Sequence, residues 1–238
     1  MFRRATELLI AVAALSAVAA GCSSGGGSRP PASGGRGGTL AAQLTGVQLR
    51  AVLLPPSDFP PGYDVLGEQD SGASLAGSRT GMDLATESCP DFVSHSLVAM
   101  LGATAYAGED LRSRDKNVEY TQFIWQFASP AGAVRVYRDV RALPNRCPET
   151  SLTSGGVAEQ VTIQAQARAP IGGHGSVEVD ETAAVAGATA VLKTLWSADG
   201  ADLFAVAVVT STQQASAPQS PSLRSLMHDL IASVLAAR

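Results

Sequence analysis

Apolar side chains recur along this chain in two rhythms, one helical and one alternating. The last stretch, Ser222–Arg238, carries Leu223, Leu226, Met227, Leu230, Ile231, Val234 and Leu235. Spacing of three and four residues lays them on one stripe of a helix, and Ser220 with Pro221 supplies the start signal. Glu119–Phe127 instead alternates, with Phe123, Trp125 and Phe127 on one side of a strand and Gln122 and Gln126 on the other. The same rhythm predicts strands over Glu159–Arg168, Ser176–Ala183, Ala188–Trp196 and Asp202–Thr212. Asp199-Gly200 joins the last two as a hairpin. Gly102–Asp110 reads as a strand whose small Ala103, Ala105 and Ala107 leave room for something to lie close against it.

Cys89 and Cys147 bracket the middle of the chain. After Cys89, Phe92, Val93, Leu97, Val98 and Leu101 form one helical face. After Ser129-Pro130, Ala133, Val136, Tyr137, Val140 and Leu143 form another, and Pro144 is expected to end it. Cysteines at opposite ends of such a unit look like a staple. A Cys89–Cys147 bridge closes a loop of about 59 residues, which the chain-entropy model values at roughly 4 kcal/mol. Ahead of this block, Val47–Leu54 is an apolar run, and Pro55–Tyr63 is a turn around a short helical or extended piece. Ser71–Leu84 is weakly patterned. The order of helices and strands argues for an α+β fold: a single antiparallel sheet of about five or six strands with helices packed on one face.

The N-terminus has a different texture. Residues 1–21 read as a lipoprotein signal peptide, with Arg3 and Arg4 preceding an apolar stretch, Leu8–Ala20, too short to span a bilayer. It ends in Ala19-Ala20-Gly21-Cys22, which resembles a lipobox, with Ala19 where leucine is commonest. Cys22 is the expected site of lipidation, palmitate included; plain secretion, with cleavage after Ala19, is the competing reading. Removing Cys22 from disulfide chemistry leaves an even pair, and export lets that pair stay oxidised. Residues 22–39 are Gly/Ser/Pro-rich and too poor in apolar side chains to offset ordering entropy, so they read as a disordered tether. Residues 40–238 form the folded domain.

Net charge is −4, and losing Arg3, Arg4 and Glu7 with the leader makes the remainder more acidic by one. An acidic surface is repelled by nucleic acid and by anionic headgroups, so the N-terminal lipid is what is expected to hold the protein to the membrane. Candidate chemistry is sparse. His95, His174 and His228 are scattered without metal-ligand spacing, so no metal and no cofactor is expected. Cys89 lies six residues before His95, yet an exported cysteine pair is expected to be oxidised. Gly72-Ala73-Ser74-Leu75-Ala76 only loosely echoes a nucleophile elbow. Glu109 with Asp110 and Asp180 with Glu181 are adjacent carboxylates that read as strand-end charges, and Gly172-Gly173-His174-Gly175 reads as a turn. No catalytic residue is assigned, and the chain reads as a non-enzyme.

The "LLPPSDFPPGY" opening, the Tyr120–Phe127 strand, "SPAGAVRVYRDV" and "LPNRC" together resemble the PknH-like sensor-domain family. The likeness covers about Leu49 to Leu235 and is one of layout. That family comprises extracellular domains of mycobacterial serine/threonine kinases and free-standing lipoproteins. It implies an α+β domain with a cleft between sheet and helices for an unidentified ligand. Kinase members carry two disulfides, whereas this chain has cysteines for one. A rival likeness is to Mog1/PsbP-like actinobacterial lipoproteins. The expected location is the extracytoplasmic face of the cell membrane, lipid-anchored. The expected role is a sensor-like domain binding a small or apolar ligand. The alternative is a structural or accessory lipoprotein engaging an envelope protein partner, and the third reading is a hydrolase with dispersed catalytic residues. Phe123 and Phe127 are expected to fill the core. Trp125, Tyr137 and Trp196 are the expected lining of an apolar cleft, with Gln122, Gln126 or Arg135 at its mouth. Oligomeric state is left open.

Overall fold

Strand β3 (Glu119–Phe127) is buried on both sides, which decides the architecture. Its side chains alternate: Tyr120 and Ile124 join one hydrophobic cluster, while Phe123, Trp125 and Phe127 join another. The computed structural model describes residues 42–75, 81–94, 100–115, 118–154, 157–171, 174–185, 188–211 and 221–238. The leader, Cys22 with the whole tether of residues 22–39, and His95 lie outside them.

Among the described residues, one eight-stranded antiparallel sheet has the order β1-β2-β3-β8-β7-β6-β5-β4. The strands are β1 (Tyr63–Asp70), β2 (Ala103–Ser113), β3, β4 (Glu149–Ser154), β5 (Val157–Ile171), β6 (His174–Val185), β7 (Ala188–Asp199) and β8 (Asp202–Ser211). The α+β class holds, but five or six strands was too few. The two strands that alternation did not reveal, β1 and β4, are the edges of the sheet. β1 is mostly exposed, so it has no buried face to impose a two-residue rhythm. The Asp199-Gly200 hairpin forms as expected, with Gly200 at φ 56°.

Helices cover both faces rather than one. On the first face lie α1 (Gly46–Arg50) and α4 (Leu223–Ala236), whose stripe is buried with Tyr120, Ile124, Leu195, Phe204, Val206 and Val208. On the second lie α2 (Cys89–Ser94) and α3 (Pro130–Arg146), packed with Phe123, Trp125, Phe127, Trp196 and Leu203. The continuous apolar run of β8, Leu203 to Val208, follows from this, because a strand covered on both sides has no polar side to show.

Local chemistry sets the helix ends. Thr45 and Gln48 form a capping box on α1, each side chain meeting the other's backbone N–H. Ser222 caps α4 by accepting from the Ser225 N–H at 3.1 Å. Helix α3 starts with Pro130 as expected but runs through Pro144 to Arg146. A proline so near the end removes a single intrahelical bond, and the Cys147 N–H still reaches the Leu143 carbonyl at 2.7 Å. The helix expected around Phe92–Leu101 is described only over Cys89–Ser94, and Leu101 lies in a turn. The Cys89–Cys147 disulfide is formed, with Cα atoms 5.6 Å apart.

Ala105 and Ala107 are fully buried beneath the α1 side, which accounts for the small-residue pattern of β2. A register shift between Ala103 and Ala105 turns Ala103 to the opposite face.

Candidate functional site

The α3 face of the sheet carries a ladder of aromatic rings. Tyr106 stacks on Phe123 at 6.0 Å between centroids, Phe123 on Trp125 at 4.3 Å, and Trp125 on Trp196 at 5.5 Å. Gly108 makes the first step possible, since a Cβ there would meet the Phe123 ring at 2.1 Å. The structure therefore brings Trp125 and Trp196 together, at 0% and 2% exposure, as part of the packed cluster. Tyr137 is half-buried on α3, with Arg141 5.9 Å from its ring centroid and its phenol pushed upward by burial. Its hydroxyl lies over Gly175, where an added Cβ would approach it to 3.2 Å.

Beyond the aromatic row the same face turns polar. Cross-strand register places Asp110, Thr121, Ala207, Thr194 and Val179 in one row across β2, β3, β8, β7 and β6. Arg112, Glu119, Val209, Leu192 and Glu181 form the next. Thr121 donates to the Asp110 carboxylate at 2.6 Å, and Arg112 pairs with Glu119 at 2.7 Å. Burial raises the Asp110 carboxyl above its ordinary range, with the Thr121 bond working against it. Glu181 is pushed up to about 8 by burial. Its ring of neighbours is apolar: Val179 and Ala183 along the strand, Leu192 and Ile163 across it. These two rows make a shelf of small and hydroxylated side chains with protonatable carboxyls near its ends. Four strand spacings of roughly 4.8 Å separate Asp110 from Glu181, about 19 Å, too far for two carboxyls to share one reacting bond.

The adjacent carboxylate pairs do not act together, because neighbours in a strand point to opposite faces. Glu109 faces α1, buried and accepting from Gln122 at 2.8 Å, while Asp110 faces the shelf. Asp180 faces Lys193 on the first side, opposite Glu181. Gln122 and Gln126 stand on the face away from the aromatic ladder, both at 0% exposure. Gln122 holds Leu54 through its N–H and carbonyl, at 2.9 and 2.7 Å, and Gln126 accepts from the Leu44 N–H at 2.8 Å. Arg135 is exposed on α3. Cys89 is oxidised; His174 opens β6; His228 lies on the outer surface of α4 beside Asp229. Ser74 sits in a bend that leads into no helix within the described residues. Among the described residues no group of three or more His, Cys, Asp or Glu is placed to hold a metal ion, and no helix is long and apolar enough to cross a membrane. An open depression of about 320 Å³ lies at the start of α4, between Ile171, Ser222, Arg224, Ser225 and His228.

Sequence reasoning missed the shelf. One signal was present: in β6 the inward series Val177, Val179, Glu181, Ala183 sets a carboxylate in an apolar register.

Neither a protein-family model nor a curated protein matches this chain. Among solved structures it is similar to the extracellular domain of PknH from Mycobacterium tuberculosis. That likeness has a TM-score of 0.54 at 14% identity, covering 79% of this chain and 97% of that one. A Rv0999 ortholog from Mycobacterium smegmatis has a TM-score of 0.43 at 13% identity, covering 78% and 96%. The first likeness establishes a shared fold.

Proposed function

We propose that this chain is a non-catalytic, extracytoplasmic sensor-like domain, tethered through lipid on Cys22, whose α3-face shelf takes a small or apolar ligand. The observation that carries the reading is the shared fold with an extracellular domain over nearly all of that domain's length. The shelf supplies the chemistry. Leu192 and Val209 offer apolar contact, and the partly exposed Thr121, Asp110 and Glu181 offer a few polar groups with which to orient a bound molecule. Trp125, Tyr137 and Trp196 belong to this reading as the floor beside the shelf rather than as a wall open to solvent. The anchor reading rests on Ala19-Ala20-Gly21-Cys22. One acyl chain holds a protein to a membrane only marginally, with K of about 10⁴ M⁻¹, so stable anchoring calls for more than one chain on Cys22.

The test is native mass spectrometry of the protein released gently from its own membranes. A retained small molecule, lost when Leu192→Arg fills the shelf with charge, supports the reading. An unliganded mass for the wild type under the same conditions counts against it. Cys22→Ser is expected to move the protein from the membrane to the soluble fraction. A wild type that is already soluble removes the anchor.

A second reading, an accessory lipoprotein engaging an envelope protein, is favoured by one feature. Val47, Val65 and Leu66 are 43%, 43% and 51% exposed on or beside edge strand β1. Cross-linking from position 66 to a membrane protein, with an empty shelf, would select it.

A further inference from the structure

The segment Gly81–Ser94 lies over the α3 face without being part of the sheet. Among the described residues its backbone enters no strand and pairs with the rest of the chain in an isolated bridge between Met82 and Met100. It is amphipathic in the simplest sense. Met82, Leu84 and Phe92 turn inward into the cluster that holds Phe123 and Trp125, while Ala85, Thr86, Ser88, Pro90 and Asp91 are exposed. Besides the Leu101 N–H, which donates to the Met82 carbonyl at 2.9 Å, two ties hold it, and these converge on adjacent residues at the end of α3. Cys147 is bonded to Cys89, and the Arg146 guanidinium donates to the carbonyls of Leu84 and Ala85.

We infer that Gly81–Ser94 is a lid over the aromatic ladder and the adjoining shelf, and that the Cys89–Cys147 disulfide is its latch. The inference rests on the reading of the α3 face as the ligand site and adds its regulation. Three relationships favour a latch over a staple for the whole fold. The bond joins the segment to α3 and not to the sheet. The sheet's own strands are continuous through β3, β8, β7 and β6 with no cysteine in any of them. And the inward residues of the lid include Met82, whose flexible thioether separates and repacks at low steric cost.

The chemistry of opening is ordinary thiol–disulfide exchange with a dithiol as reductant. Cys89 is half-buried and Cys147 is 1% exposed, so the reachable sulfur is that of Cys89. A dithiol thiolate attacks it, the Cys89–Cys147 bond breaks, and Cys147 leaves as a thiolate that takes up a proton. The second thiol of the reductant then displaces Cys89, which is protonated in turn. Two electrons pass to the protein and the reductant leaves as its own disulfide. What then holds the segment is non-covalent: the two Arg146 hydrogen bonds, the Leu101 N–H donating to the Met82 carbonyl at 2.9 Å, and the packing of Met82, Leu84 and Phe92.

Both tryptophans of the chain lie in the ladder, so they report on the lid directly. The experiment compares acrylamide quenching of tryptophan fluorescence in the oxidised protein, the dithiothreitol-reduced protein and the C89S/C147S double variant. Amide hydrogen exchange is measured in parallel. The expected result is a several-fold rise in the quenching constant on reduction and in the variant. Protection is lost over 81–94, while β3 and β8 keep theirs and thermal unfolding stays cooperative. Unchanged quenching overturns the inference. So does loss of protection across β3 and β8, since the disulfide would then staple the whole fold. The readout uses a quencher and no ligand, so an empty shelf by mass spectrometry sinks the binding reading and leaves the lid result to stand or fall separately.

Discussion

The indole of Trp125 lies nearly parallel to that of Trp196, with ring centroids 5.5 Å apart and planes 13° from each other. The two residues belong to strands that do not touch: β3 and β7 each pair with β8, which runs between them. They meet above β8 because the residue beneath is Ala205, which pairs with Phe123 on one side and Trp196 on the other. One small residue thus lets three large ones share a layer, and the ladder follows from volumes alternating across the sheet.

Gly108 performs the same service at the other end of the ladder. Its φ is not in the left-handed region, so replacing it tests volume alone. Gly108→Ala drives a methyl into the Phe123 ring, which is itself held against Trp125 at 4.3 Å. A loss of roughly 1–3 kcal/mol is expected from overpacking. Urea unfolding checks it, and a variant as stable as wild type would show that the ladder shifts freely.

Gln122 is the pin between β3 and the segment that follows α1. Gln122→Leu keeps most of the volume and removes the partners of the Leu54 N–H, the Leu54 carbonyl and the Glu109 carboxyl at once. Each buried polar group left unpaired costs about 1–3 kcal/mol, and the expected sum is roughly 2–4 kcal/mol after relaxation. Hydrogen exchange separates this from a general loss of packing, because the Leu54 amide should exchange faster than its neighbours in β3.

The glutamines also mark where the sequence was legible and where it was not. β3, β5, β6, β7 and β8 could be read because at least one face of each is buried in a regular series, and α4 because its stripe is unbroken. β1 could not, since Asp64, Val65 and Leu66 are all exposed in succession. The second helical layer was readable in principle from β8, where Leu203-Phe204-Ala205-Val206-Ala207-Val208 admits no solvent side. Gln122 and Gln126 concealed the same fact in β3, because a polar residue on the alternate face reads as exposure when it is a buried hydrogen-bonding pin. Glu181 was hidden for the opposite reason: a lone carboxylate beside Asp180 reads as part of a charged strand end until pairing assigns the two to different faces.

Arg238 and Asp202 form a bidentate pair, at 2.7 and 2.8 Å, with Asp202 1% exposed and Gln126 donating to the same carboxylate at 3.1 Å. Arg238→Ala leaves a buried carboxylate with its cation removed, which costs about 3–5 kcal/mol when one partner of such a pair is deleted. Burial already raises Asp202, and Arg238 is the largest influence lowering it. Without Arg238 the carboxyl titrates higher, so the deficit should shrink as pH falls and the group is protonated. Adding Asp202→Asn to Arg238→Ala should recover part of the loss at neutral pH. A deficit that is the same at pH 4.5 and pH 8 would assign it to lost packing instead.

Stability should fall as pH rises, against the habit of small acidic proteins to weaken in acid. Glu109, Asp110, Glu159, Asp180, Glu181 and Asp202 are all raised, each with burial as the leading cause, while the exposed Asp64 is lowered by Arg114. For an acid raised on folding, the native state holds its proton where the unfolded chain has lost it. The contribution is therefore fully present below the unfolded value, about 4.3 for a glutamate, and is lost as pH climbs through the folded one. Glu181 spans the widest window, from there to about 8. Glu181→Gln removes the ionisation and keeps the shape. It should match the wild type near pH 4 and exceed it by a few kcal/mol at pH 9, a figure discounted for the side chain's partial access to water. Urea unfolding of both proteins between pH 4 and 9 measures this, and parallel curves would mean that Glu181 is solvated in the folded state. If they diverge, the shelf holds a neutral carboxyl at neutral pH, and a ligand there meets a hydrogen-bond donor where the sequence alone shows a charge.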